Sequence, residues 1–399
     1  MNILLLGNGF DVAHGLPTQY NDFLRFISNY KSFSSHNTCD PLFRKFFTDY
    51  FDEQYRKEFD TCLKDNMWLD YFFLIFEDRL SVGKDRWIDF ENEISFIVQA
   101  LDAADDYFTV RFEAGYPEAV LEFKEWRYLG LLLFKETDYE KSSFHRFTID
   151  SIPKIKYDLE HDLDRLIRAL ELYLSCYVSY YLDSGFREEK AHCDFSKMNI
   201  SFLINFNYTN TYTSLYRNPN KHISQCHVHG SASQEHPYGK TNMVLGIDEY
   251  LDDVRKDSDN RFYTFKKFYQ RIMKDTDTSY QNVLQYIETL EPDPNDKEGP
   301  YHYLYIFGHS LDVTDKDILS SLILAPNVNT FIYYHNDDSK KNLIGNLIKI
   351  IGQDELIKRT KGDNRSINFV SCTTDLEYSE KYPYDHIAML INKMVEERY

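Results

Sequence analysis

The sequence has little that would tie it to a membrane, to an oxidising compartment or to nucleic acid. None of its apolar runs approaches the ~18 residues that a spanning helix needs. The amino terminus has no basic segment, and its apolar stretch runs straight into Gly7-Asn8-Gly9, so no secretory leader is expected there. Six cysteines at 39, 62, 176, 193, 226 and 372, with no CxxC, read as free thiols in a reducing compartment, and the cytoplasm is the expected location. The formal net charge is −19, which gives no bulk attraction to nucleic acid or anionic lipid; strong nucleic-acid binding and membrane association are not expected. Internal repeats and low-complexity tracts are absent. Aromatics are plentiful: Tyr and Phe number 32 and 30, which excludes a disordered chain. A length of 399 residues can bury a large core and suggests two or three units of roughly 100–200 residues.

The chain opens on Met1-Asn-Ile-Leu-Leu-Leu-Gly7-Asn-Gly9-Phe-Asp11. An unbroken apolar run of this length reads as a buried parallel strand. Two glycines allow a tight turn and a close backbone approach. Pro17 and Thr18 predict that a helix starts near them. Strand, glycine turn and helix start form the geometry that holds a dinucleotide pyrophosphate. The full G-x-G-x-x-G is missing, since Val12 stands where its third glycine belongs, and a sharp turn with no ligand explains the pattern equally well. Under the ligand reading, Gly9→Val abolishes dinucleotide binding and leaves the fold intact.

From Phe23 to about Phe195 the apolar spacing is helical, as in Trp68–Phe76, Ile88–Leu101 and Leu159–Leu182, with polar linkers at Ser32–Asn37 and Glu136–Ser143. Within this block, Asp89 and Glu91 open a helix. Acidic first turns complement the helix dipole, which is one explanation; a catalytic or ribose-binding role is the other. Strand candidates return at Ile200–Phe206, Ile223–Val228, Met243–Ile247, Tyr303–Phe307, Val328–Tyr334 and Ile367–Ser371. Helices are predicted at Asn260–Leu290, Thr314–Leu324, Leu343–Arg359 and His386–Arg398. Alternating strands and helices imply an α/β fold: a Rossmann-like parallel sheet with a large helical insertion after the first strand. The expected division is residues 1–22 and 196–399 for the α/β domain and 23–195 for the helical one.

Asn207, His229, Asp248, Ser310 and Asn336 each follow an apolar run. Ligands of open parallel sheets bind beyond the carboxyl ends of the strands, so a site is expected there. His222, Cys226, His227, His229 and His236 lie close in sequence, but strand alternation separates them and their spacing matches no zinc pattern, so no metal is expected. His227 reads as a hydrogen-bonded strand histidine.

Residues 5–24, together with Trp87-x-Asp89-x-Glu91, Asn205-Phe-Asn-Tyr-Thr209, His227-Val-His-Gly230 and Ile306-Phe-Gly-His-Ser-Leu311, resemble the bacterial AbiH family of phage abortive-infection proteins. More distantly, that family looks like the sirtuin-like NAD-binding domains of anti-phage defence. The resemblance implies NAD as substrate or ligand, with Asn207 and His229 cleaving it and Gly7, Asn8, Gly9, Asp11, Gly308, His309, Ser310 and Asn336 lining it. Thr209 stands where such domains usually carry an Asp, and Asp11 is a candidate to replace it as the nicotinamide-side acceptor; capping a helix start is its other role. The four-cysteine zinc module of deacetylases is missing, which argues against deacetylation. Three readings follow: an NAD hydrolase silent until infection, a sensor without catalysis that signals through a partner defence protein, and a toxin acting on nucleic acid. A phage-derived trigger and self-association through the aromatic block Phe43–Phe76 are also expected.

Overall fold

Four apolar side chains in a row, Ile3 to Leu6, are all at most 1 % exposed, which only a strand covered on both faces achieves. The computed structural model describes residues 1–36, 38–81, 88–122, 124–137, 143–183, 198–216, 223–252, 254–289, 302–362 and 365–371. It holds one six-stranded parallel sheet. Its strands are β1 (Asn2–Leu6), β2 (Phe202–Asn205), β3 (Ser224–His227), β4 (His302–Phe307), β5 (Val328–Tyr334) and β6 (Ile367–Ser371). Their order is β3-β2-β1-β4-β5-β6. This is the Rossmann order, with the topological switch point between β1 and β4.

Side-chain alternation builds a core on each face. Ile3, Leu5, Ile204, Leu304 and Ile306 lie in one, and Leu4, Leu6, Leu203, Tyr305 and Phe307 in the other. Each such side chain contributes roughly 1.5–3 kcal/mol by leaving water.

The chain divides into two compact units. The sheet unit comprises Met1–Thr18, Val178–Ser231 and Thr276–Tyr399; the helical unit comprises Gln19–Tyr177 and Ala232–Asp275. The chain thus leaves the sheet unit twice, after β1 and after β3. In the helical unit the rings of Phe43, Phe46, Phe47, Phe51 and Phe59 cluster around Phe26. These rings, with Trp68, Tyr71 and Phe72, are buried, while Tyr50 of the same block is exposed. An antiparallel ribbon, Ala119–Glu122 with Phe144–Phe147, interrupts the helices.

Several sequence expectations change. The helix after the glycine turn begins at once, at Asn8–Ala13, and the next at Tyr20–His36, so Ser32–His36 is helix and not linker. Met243–Ile247 joins no sheet: Ile247 makes a single bridge, to Lys266, within the helical unit. Its apolar residues are buried, and Leu245 exchanges backbone hydrogen bonds with the Gln270 side chain, a distinction that hydropathy does not carry. The helix expected over Asn260–Leu290 splits into Lys267–Met273 and Tyr280–Thr289, with Asp275 in the left-handed region between them. Leu343–Arg359 divides at Gly352, whose φ of 83° ends one helix and starts another. The helix expected at His386–Arg398 lies outside the described residues.

Candidate functional site at the carboxyl ends of the strands

Register sets the site. Leu6 pairs with Asn205 on one side and Phe307 on the other, and Asn205 pairs with His227. The residues just beyond these strands form a row. Its backbone bonds are Phe206 N–H to Leu6 O (2.9 Å), Val228 N–H to Asn205 O (3.0 Å) and Gly7 N–H to Phe307 O (3.1 Å). Asn207 and His229 follow one residue later on neighbouring strands.

Each is held by its own turn. The Asn205 side chain accepts from Asn207 N–H (3.0 Å) and donates to Thr209 O (2.9 Å). Asn207 Nδ2 donates to Gly7 O at 3.0 Å, tying the end of β2 to the glycine turn. His227 Nδ1 donates to Asn207 O at 3.0 Å, and burial lowers the pKa of this histidine. His227 is thus a hydrogen-bonded strand histidine that steadies its neighbour.

Asp11 is 1 % exposed and accepts from Thr209 Oγ1, which in turn accepts from Thr211 Oγ1 at 3.1 Å. Burial pushes its carboxyl up to about 6, against hydrogen bonds from Thr209, Thr211 and Asn207 that pull it down. Thr209 therefore touches the acid of the first turn.

His229 Nε2 lies 2.9 Å from Asp315 Oδ1, and His309 Nε2 lies 3.6 Å from Asp315 Oδ2. All three residues are buried. The Phe206 ring meets both imidazoles edge-on, at 5.4 and 4.5 Å between centroids. Asp315 has no individual signal in the sequence; there it reads as part of a helix cap.

The glycines pack closely against the chain's own backbone. A Cβ on Gly7 would stand 2.5 Å from His309 Cα, and one on Gly9 would stand 2.7 Å from Gly308 Cα. Gly9 N–H donates to Gly308 O at 2.8 Å. Gly308 has a φ of +68°, and a Cβ there would stand 2.2 Å from Phe10 N. The close approach these glycines permit is that of the chain's own backbone across the switch point.

The other candidates separate. Asn8 is exposed and bonds to Thr18, its Oδ1 accepting from Thr18 Oγ1 at 2.7 Å. Ser310 is exposed and its carbonyl accepts from Asn346 Nδ2 at 2.9 Å. Asn336 caps the helix Asp337–Ile351 through a capping box with Ser339. In the helical unit, Asp89 caps Phe90–Glu113 by accepting from Glu91 and Asn92 N–H at 3.0 and 3.3 Å. Glu91 pairs with Lys267 at 2.8 Å. Their geometry is that of a helix start.

The family model described as bacteriophage abortive infection AbiH matches residues 3–334, a stretch that includes all of the strand-end cluster. This chain belongs to the AbiH family. The family places it among phage abortive-infection proteins. No curated protein matches the chain. Among the described residues of this AbiH protein, no group of three or more His, Cys, Asp or Glu is placed to hold a metal ion. No helix among them is long and apolar enough to cross a membrane.

Proposed function

We propose that this AbiH protein acts in abortive infection by hydrolysing NAD at the nicotinamide–ribose bond, with His229 as base and Asn207 as the orienting amide. The observation that carries the reading is the register of β2 and β3: Asn205 pairs with His227, and Asn207 and His229 each lie two residues beyond that pair.

NAD cleavage passes through an oxocarbenium-like state, as glycoside hydrolysis does. Water adds at the ribose anomeric carbon, the bond electrons leave on the nicotinamide nitrogen, and the water proton passes to His229. The products are nicotinamide, ADP-ribose and a proton. Histidine suits this step because its proton affinity lies near neutral pH. Asp11, ionised at neutral pH but with a raised pKa, would accept from the nicotinamide amide. Its contact with Thr209 supports that substitution of one acid for another. The reading assigns the pyrophosphate no place on the Gly7–Gly9 turn, because Gly308 backbone already packs there.

Thr209, standing where NAD-cleaving domains of this kind would carry an Asp, favours a second reading, a nucleotide-binding sensor without catalysis that acts through a partner. The test uses infected cells and protein purified from them, so that any trigger is present. His229→Ala is expected to reduce nicotinamide release about 10²–10⁴-fold, the usual worth of a positioned base. Phage protection and the fall in cellular NAD should disappear together. Protection equal to the parent's with His229→Ala would sink the hydrolase reading and leave the sensor.

A further inference from the structure

Asp315 joins two histidines that the sequence treats separately, and the hydrogen bonds around it fix where each ring carries its proton. Leu311 N–H donates to His309 Nδ1 at 2.9 Å. That nitrogen therefore holds a lone pair, and the neutral ring carries its proton on Nε2, facing Asp315 Oδ2. A proton on Nδ1 would set one N–H against another, which excludes the Nδ1–H tautomer of His309. The turn that aims Leu311 N–H this way puts a buried leucine at a φ of 55°. Non-glycine residues keep that conformation where surrounding contacts over-determine it. Asp315 Oδ1, at 2.9 Å, accepts from His229 Nε2.

We infer that Asp315 is a positioning residue: it holds His229 as the Nε2–H tautomer, places the basic lone pair on Nδ1, and faces the Nε2–H of His309. The catalytic consequence rests on the proposed NAD hydrolysis; the tautomer assignment does not. In the reaction, the water proton lands on His229 Nδ1, and the imidazolium so formed sits against the Asp315 carboxylate. A buried carboxylate discriminates strongly between tautomers, because little solvent screens it.

Asp315→Asn gives a sharp test. The new amide oxygen must face the fixed Nε2–H of His309, so its NH₂ faces His229. That forces His229 into the opposite tautomer, with the proton on Nδ1. Selective ¹⁵N labelling of histidine reads both tautomers by NMR at alkaline pH, with His229→Gln identifying the His229 signals. The parent should show the proton on Nε2, and Asp315→Asn should move it to Nδ1. NAD cleavage by the triggered protein should fall about 10²–10⁴-fold with KM for NAD unchanged. A parent His229 protonated on Nδ1 overturns the inference whether or not NAD is cleaved, and the parent spectrum decides this even if the variant does not fold. Parental turnover by Asp315→Asn also overturns it. A tautomer that moves as expected in a protein that never cleaves NAD leaves the inference standing and ends the hydrolase reading instead.

Discussion

Each unit buries a cluster of charge, and the two clusters follow opposite rules. In the helical unit, Arg168 is 2 % exposed and forks onto Glu58 at 2.8 and 3.1 Å. Its third nitrogen donates to Glu171 at 2.6 Å. Gly239 N–H and His236 Nδ1 bond the remaining faces of the two carboxylates. The clasp ties the return segment 232–239 to the helices Glu53–Leu63 and Ser151–Leu172. In the sheet unit, Asp11 is buried just as deeply, but Thr209, Thr211 and Asn207 give it neutral donors, and its pKa rises to about 6. A cation matched to its carboxylates makes a structural joint. A buried acid with neutral partners keeps an uncompensated electrostatic cost.

The strongest way to break this comparison is to remove the cation. Arg168→Met leaves two carboxylates buried without compensation, which costs about 3–5 kcal/mol. Urea unfolding should show that loss in the helical unit. A variant as stable as the parent would mean that the clasp does not balance its own charge.

Removing the acid should have the opposite sign. The folded-state pKa of Asp11 is raised, from 3.8 to about 6. The protonated acid therefore favours the fold, and that stability is complete below the unfolded value and lost as pH rises through about 6. Asp11→Asn keeps an acceptor for Thr209 and deletes the charge. It should be more stable than the parent at about pH 8, by on the order of 3 kcal/mol, with the gain vanishing near about pH 4. Melting curves of both proteins across that range check the sign. A gain that does not depend on pH would remove the contrast with Arg168.

The sequence reveals one side of this comparison better than the other. Ile3–Leu6 and Tyr303–Phe307 are legible as buried strands because continuous apolar runs need a sheet covered on both faces. Asn207 and His229 are legible because strand ends in parallel sheets face ligands. Their adjacency is not, since it depends on β2 and β3 pairing in one particular register. Asp315 lies 86 residues from His229, and the two meet although β2 and β1 stand between β3 and β4 in the sheet. Glu58 and Arg168 lie 110 residues apart and carry no pattern that pairs them. Asp89 and Glu91 fit both a family motif and a helix start; the hydrogen bonds of Asp89 and the salt bridge of Glu91 account for them locally. The glycines are the most ambiguous, because a turn made for a pyrophosphate and a turn made for another backbone need the same residue.

That last ambiguity yields the smallest and most discriminating effect. Gly9 sits in a helix at ordinary angles, so a side chain there meets no conformational barrier, only Gly308. The added Cβ would lie 2.7 Å from Gly308 Cα and 2.8 Å from its carbonyl oxygen, and both atoms are backbone that cannot rotate away. Gly9→Ala should therefore cost about 1–3 kcal/mol of stability, the range for overpacking a tight contact. Gly9→Val should cost more, contrary to the expectation that the fold survives it. Calorimetric titration with ADP-ribose separates the two roles of the turn. If the glycine serves backbone packing, Gly9→Ala lowers the melting temperature, and whatever affinity the parent has for ADP-ribose persists in the folded fraction. If stability is unchanged and ADP-ribose affinity alone is lost, the turn faces a ligand after all, and Gly308 must yield its place to a phosphate when that ligand binds.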